Sequence, residues 1–308
     1  MNAPSPASGQ GGLASRIVMA TVVLGAFGGL AWADATSLGT APPVAWLLPV
    51  AALAAFGAGR EAVQLAAARG IALSAWLVPI AATCIAVAPA ALSWAGLDGG
   101  CPLAAIGAAA VTIAATFATA FIVEIIRYAP GAGGLVRICG SGFAATAIGL
   151  PLAFMVGLRL LGQPVATGAP PLAVLVPLVS LVAVVKAGDI AAYVVGSLVG
   201  RHRLAPTLSP GKTWEGAAAS LAASLAAAWL VIERGGSGLA HGPAGSWPVF
   251  GLLVGLAGMA GDLAESLVKR DLSAKDSGRS LGGMGGFLDL IDALLLAAPV
   301  AWTLWVSG

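Results

Sequence analysis

Residues 261–292 read GDLAESLVKRDLSAKDSGRSLGGMGGFLDLID. This one stretch holds Asp262, Glu265, Lys269, Arg270, Asp271, Lys275, Asp276, Arg279, Asp289 and Asp292, in a 308-residue chain with only 15 basic and 13 acidic side chains. Apolar sequence flanks it on both sides. An ionised group in a bilayer costs several kcal/mol unless it is paired or hydrated, so charge concentrated in this way between apolar runs marks a membrane-surface site. On a helix, Asp262, Glu265, Ser266 and Lys269 fall at steps of three and four and share a face. Asp289 and Asp292, three apart at the start of the next apolar run, also face one way. Carboxylates converging from two helix ends suit a hard cation such as Mg2+, which takes oxygen ligands and shares them with substrate phosphates. The glycines at 282, 283, 285 and 286, around Met284, can bring backbone N–H groups close to a phosphate.

The composition agrees with a membrane setting. Hydrophobic residues are 59% of the chain and charged residues 9%, against about 25% charged in soluble domains. The mean hydropathy is +0.96. The apolar runs are long and continuous, unlike the alternating segments of a membrane β-barrel. They predict an all-α, polytopic integral membrane protein with about nine spans, near 16–33, 43–59, 72–95, 103–123, 139–162, 171–199, 214–232, 247–268 and 287–306. Residues 1–14 read as a disordered leader, 15–170 as a scaffold of helices and 171–308 as the catalytic region. Ala31-Trp32-Ala33 fits a signal-cleavage pattern, but the apolar run before it is long and reads as a retained first helix. The loops after even-numbered spans hold Arg60, Arg69, Arg127, Arg137, Arg201, Arg203, Lys212, Lys269, Arg270, Lys275 and Arg279, which places those loops and the N-terminus in the cytoplasm. Arg159 falls on the other side, and Glu61, Glu124 and Arg127, near helix ends, read as interfacial anchors or ion-pair partners. A net charge of +2 gives no footing for a nucleic-acid partner, and the three scattered cysteines read as packing residues.

A second polar stretch spans residues 189–216, DIAAYVVGSLVGRHRLAPTLSPGKTWEG. Asp189 lies within an apolar run, either as a functional carboxylate or as the partner of Lys186 three residues back. Gly196 and Gly200 make a small-residue face for close helix contact. Ser209-Pro210-Gly211 reads as an irregular turn, with Lys212 and Thr213 opening a helix beside Glu215. A helix N-terminus with a lysine and a hydroxyl suits phosphate. A P-loop is ruled out because its first glycine would fall on Pro206 and no strand is expected before it.

These two stretches together resemble the phosphatidate cytidylyltransferase (CDP-diacylglycerol synthase) family. The family pattern runs Ser-x-x-Lys-Arg, then Lys-Asp-x-Gly, then a Leu-Pro-Gly-His-Gly-Gly loop and Asp-Arg-x-Asp. This sequence matches it at Ser266, Lys269, Arg270, Lys275, Asp276, Gly278, Leu281, Gly283, Gly285, Gly286, Asp289 and Asp292, and upstream through Asp189, Tyr193, Ser209, Lys212, Thr213, Trp214, Glu215 and Gly216. It departs at Gly282 (family Pro), Met284 (family His) and Leu290 (family Arg). The resemblance implies transfer of CMP from CTP to phosphatidic acid at a cytoplasmic site. It implies Asp262, Asp289 and Asp292 as Mg2+ ligands, with Lys269 catalytic beside them. It further implies Asp189, Ser209, Lys212, Thr213, Glu215, Ser266, Arg270, Lys275, Asp276, Gly285 and Gly286 as substrate-binding residues, and it allows a K+ ion, a homodimer and a bacterial inner-membrane location. Met284 and Leu290 remove two partners for phosphate or carboxylate and favour, as an alternative, a divergent paralogue. A transporter would spread its charges near the midplane with repeat symmetry, whereas here they gather at helix ends on one side.

Overall fold

The computed structural model describes residues 13–37, 40–130, 133–162, 171–235, 241–272 and 286–308. Within these the chain forms nine long helices and a two-stranded ribbon. The helices are α1 (Leu13–Thr36), α2 (Leu48–Ala67), α3 (Leu77–Trp94), α4 (Pro102–Ile126), α5 (Gly134–Leu161), α6 (Val176–Val199), α7 (Trp214–Ala228), α8 (Ser246–Asp271) and α9 (Phe287–Val306). A 3-10 turn (Pro171–Leu175) leads into α6, and a π turn (Trp229–Glu233) extends α7. Among the described residues, α3, α4, α5, α6 with its leading turn, α7 with its π turn, and α8 are long and apolar enough to cross a membrane. The protein is an all-α polytopic membrane protein. Helices are the natural solution because each satisfies its own backbone hydrogen bonds where no water can.

Small residues set the packing. Glycines and alanines let backbones approach where bulk would hold them apart. A side chain on Gly216 of α7 would stand 2.8 Å from the Ala192 carbonyl of α6, and one on Gly196 of α6 3.1 Å from the Thr213 hydroxyl. The expected close contact at Gly196 and Gly200 is therefore present. Three apolar clusters knit the bundle. One, on α3, α4 and α5, centres on Ile85, Ala109 and Ala145. A second joins Ala54, Ala55 and Ala58 of α2 to Ala82 and Ala86 of α3, Ile148 and Leu152 of α5, and Leu288 and Ile291 of α9. The largest gathers α1, α5, α6, α8 and α9 around Leu158, Leu181, Val184, Phe250, Val254 and Trp302. On α4, Val111, Phe121, Ile122, Ile125 and Ile126 stay exposed, as a lipid-facing stripe does.

Several boundaries differ from the sequence reading. Helix α2 starts at Leu48 and runs through Arg60, Glu61 and Gln64 to Ala67, because its polar residues continue the helix instead of ending it. Helix α1 begins at Leu13, so the expected leader at 1–14 overlaps its first turn and otherwise lies outside the described residues. Arg159 is fully buried. Its Nε donates to Asp34 Oδ2 of α1 at 2.6 Å, near the end of the bundle where Gly157 packs on Trp302. Glu61, expected as an interfacial anchor or an ion-pair partner, is also buried, at 2% exposure. Glu124 does pair with Arg137, through Nε at 2.9 Å and Nη2 at 2.5 Å.

Candidate functional site

The polar site is built where α8 meets α9. Gly261 lies against the carbonyls of Asp292 and Ala293, and a Cβ there would stand 2.9 Å from the Asp292 oxygen. Only glycine lets the helices close at this level, and the closure brings the next residue of α8, Asp262, to Asp292 of α9. Glu265, one turn on, joins them from the same face of α8. Oxygens of Asp262, Glu265 and Asp292 lie within 4.8 Å of one another, Glu265 buried and the other two half-buried. Three carboxylates this close repel unless protons or cations sit among them.

Two lysines supply part of that charge. Lys269 Nζ lies 2.8 Å from Glu265 Oε2 and also pairs with Asp289. Lys212 Nζ reaches Asp262 Oδ2 at 2.7 Å from the stretch before α7. Four carboxylates therefore face two ammonium groups, a formal excess of two negative charges. That excess and the all-oxygen donor set fit one hard divalent cation. Lys186 of α6 pairs with Asp189 Oδ2 at 3.1 Å, the ion pair that a spacing of three allows.

Residues 203–213 hold Lys212 in place. The sequence reading has an irregular turn here; the structure has an antiparallel ribbon of Arg203–Ala205 (β1) with Ser209–Thr213 (β2). Pairing across Pro206–Leu208 satisfies backbone groups that a bare turn would leave open. A strand does therefore precede α7, although Pro206 still excludes a P-loop. Thr213 is the extended cap of α7, and its Oγ1 accepts from the Gly216 N–H at 3.1 Å. Glu215, in the first turn, accepts from the Arg201 and His202 backbone N–H groups and lies 2.7 Å from His202 Nδ1. Arg270 Nε, at the end of α8, donates to the Leu208 carbonyl at 3.3 Å and ties the ribbon tip to the carboxylate helix.

The start of α9 completes the site. The Asp289 carboxylate accepts from the Gly286 N–H at 2.7 Å, capping its own helix while it pairs with Lys269. Among the residues the sequence singled out, Asp262 and Asp292 come together, Lys212 pairs with Asp262, and Lys269 joins through Glu265. Asp289 joins through Lys269, and Arg270, Ser209, Thr213 and Glu215 belong to the ribbon and its contacts. Ser266 is half-buried on α8 one residue past Glu265, and Asp189 is on α6 beside Lys186. Lys275, Asp276, Gly282, Gly283, Met284 and Gly285 lie outside the described residues. Two carboxylates were missed as site members. Glu265 was already on the shared face of α8, so its spacing from Asp262 was the signal. Glu61, from a helix over two hundred residues away in sequence, accepts from the Leu288 N–H at 3.0 Å and left no signal beyond a charge in an apolar run.

Fold and site define a class: an all-α integral membrane protein presenting a carboxylate-and-lysine site at the ends of its C-terminal helices. The chain belongs to the cytidylyltransferase family, whose profile matches residues 14–307. It is 47% identical over 129 residues to the phosphatidate cytidylyltransferase of Brucella suis, covering 41% of this chain and 45% of that protein. The protein of the same name from Mycobacterium leprae is 44% identical over 128 residues, covering 40% and 38%. That from Mycobacterium tuberculosis is 42% identical over 122 residues, covering 38% and 35%. The aligned segment spans less than half the length of these curated relatives.

Proposed function

We propose that this protein is a phosphatidate cytidylyltransferase of a bacterial inner membrane, with its N-terminus and polar site on the cytoplasmic side. The observation that carries this reading is the convergence of Asp262, Glu265 and Asp292 with Lys212 and Lys269, in a chain of the cytidylyltransferase family. In the reaction a phosphate oxygen of phosphatidic acid attacks the α-phosphorus of CTP. The bond from that phosphorus to the β-phosphate bridging oxygen breaks, giving CDP-diacylglycerol and pyrophosphate. The nucleophile is already an anion, so the protein's task is positioning and charge neutralisation, with no strong base required.

The residues divide that work by chemistry. Lys212 and Lys269 balance carboxylates at rest and can turn to phosphate oxygens as the triphosphate arrives; Arg270 adds to the same field, and the family resemblance assigns Lys275 to the substrate as well. Thr213 Oγ1 accepts from Gly216 and keeps its own proton to donate, as a hydroxyl can do both. Ser209 and Ser266 are further hydroxyl donors, and the family resemblance assigns Gly285 and Gly286 to substrate binding as well. Glu215 organises the ribbon through residues 201 and 202. The family resemblance also assigns Asp189 and Asp276 to substrate binding. Asp262, Asp289 and Asp292 are the metal ligands the family resemblance implies; on geometry Glu265 groups with Asp262 and Asp292, while Asp289 pairs with Lys269. A Mg2+ ion held there would neutralise charge on the triphosphate.

The test is incorporation of radiolabelled CTP into phosphatidate by the purified protein with Mg2+, with and without K+. Formation of CDP-lipid with release of pyrophosphate, abolished by Asp289→Asn, is the expected result. No transfer despite tight Mg2+–CTP binding would favour the second reading, a divergent relative, which Met284 and Leu290 motivate. In that case Met284→His with Leu290→Arg should restore turnover. Neither transfer nor CTP binding would refute both.

A further inference from the structure

We propose that Glu61, from the N-terminal half of the chain, is a positioning residue that sets the register of α9 and so completes the carboxylate cluster. The inference concerns the site assigned above, and its structural part stands independently of the reaction.

Glu61 sits in α2 as a carboxylate at 2% exposure in an apolar bundle. A buried carboxylate is costly unless hydrogen bonds or charge compensate it. Its Oε2 accepts from the Leu288 N–H at 3.0 Å, one of the amides that the first turn of a helix leaves without an internal partner. The N-terminal end of a helix also carries partial positive charge, which favours an anion there. A second carboxylate, Asp289, takes the Gly286 N–H of the same turn. Two carboxylates from different parts of the chain thus hold two amides at the start of α9, that of its cap Gly286 and that of Leu288.

The fit around Glu61 is close. A Cβ on Gly286 would collide with the Glu61 carboxylate. One turn earlier on α2, Gly57 leaves room for the Phe287 ring. Leu288 and Ile291 then pack on Ala54, Ala55 and Ala58 of the same helix. Apolar packing fixes the height of α9 only loosely, because these alanines present a smooth face. The directional bond from Glu61 selects one register. Asp292 lies four residues past Leu288, one helical turn, so the register that satisfies Glu61 is also the one that places Asp292 beside Asp262 and Glu265.

Three readouts test this on the full-length protein in detergent. Glu61→Ala is expected to speed hydrogen exchange at least tenfold in the peptide opening α9, and to weaken Mn2+ binding to the nucleotide-free protein at least fivefold. Peptides from the middle of α8 should be unchanged. Glu61→Gln, whose amide oxygen still accepts from Leu288, should restore most of the exchange protection and Mn2+ affinity. Gly286→Ala should reproduce the alanine phenotype, and adding Glu61→Asp, which withdraws the carboxylate by one methylene, should relieve it in part. The proposal is overturned if Glu61→Ala lowers only yield or thermal stability and leaves α9 exchange at the wild-type rate. It is equally overturned if exchange rises while Mn2+ affinity holds. Should the wild type bind no Mn2+ and transfer no CMP, the reaction assigned above fails, and the register claim is then judged by exchange alone.

Discussion

Lys269→Met tests most directly whether charge balance builds the site. The lysine side chain is 16% exposed and stands between Glu265, at 6%, and Asp289, at 15%. Methionine keeps much of its length and removes its charge, leaving four carboxylates against Lys212 alone. Removing one partner of a buried pair costs roughly 3–5 kcal/mol, because the remaining charge is uncompensated. Protonation of a carboxylate relieves part of this, at about 1.4 kcal/mol for each pH unit by which its pKa must rise. A net loss of about 3 kcal/mol is therefore expected, which for a chain of this size lowers the unfolding midpoint by roughly 6–12 °C. A divalent ion should restore more of this than it adds to the wild type, where Lys269 already competes for the same oxygens. Saturation at a hundredfold over Kd contributes about 2.7 kcal/mol. Tryptophan fluorescence at a fixed heating rate, with and without Mg2+, measures both effects. CMP transfer should fall at least a hundredfold. A midpoint within 2 °C of wild type and an identical Mg2+ response would refute the charge-balance argument (about 1 kcal/mol at most).

Two further outcomes follow from the geometry. Lys212→Ala should raise KM for CTP about tenfold with a smaller change in kcat, as read by steady-state kinetics. Its pair with Asp262 is part-exposed, so the unfolding midpoint should move by only about 1 kcal/mol equivalent. At the opposite end of the bundle, Asp34→Leu should cost about 3–5 kcal/mol by leaving Arg159 charged and buried, and adding Arg159→Leu should recover most of that loss. Transfer per folded molecule should be unchanged in the double variant, which separates this structural pair from the chemistry.

The sequence by itself determined the class of fold and most of the chemistry. Long apolar runs leave a chain in lipid little choice but helices, and the two polar stretches could be read because charge is scarce elsewhere. The shared face of Asp262, Glu265 and Lys269 follows from helical spacing alone. What spacing could not supply is which carboxylates meet across helices. That was decided by Gly261, which lets α8 close on α9 and brings Asp262 and Glu265 to Asp292, while Asp289 turns to Lys269 and its own helix end. The ribbon carrying Lys212 was also hidden, because its five-residue strand contains Pro210 and Gly211 and is held by pairing to β1 and by Arg270, not by its own propensity. Glu61 was the least legible. In sequence it is a charge beside Arg60 near the end of an apolar run; only the packing of α2 on α9, 227 residues away, turns it into a hydrogen-bond acceptor for the helix that carries Asp292. Local periodicity determines faces, and contacts between distant helices determine which faces meet.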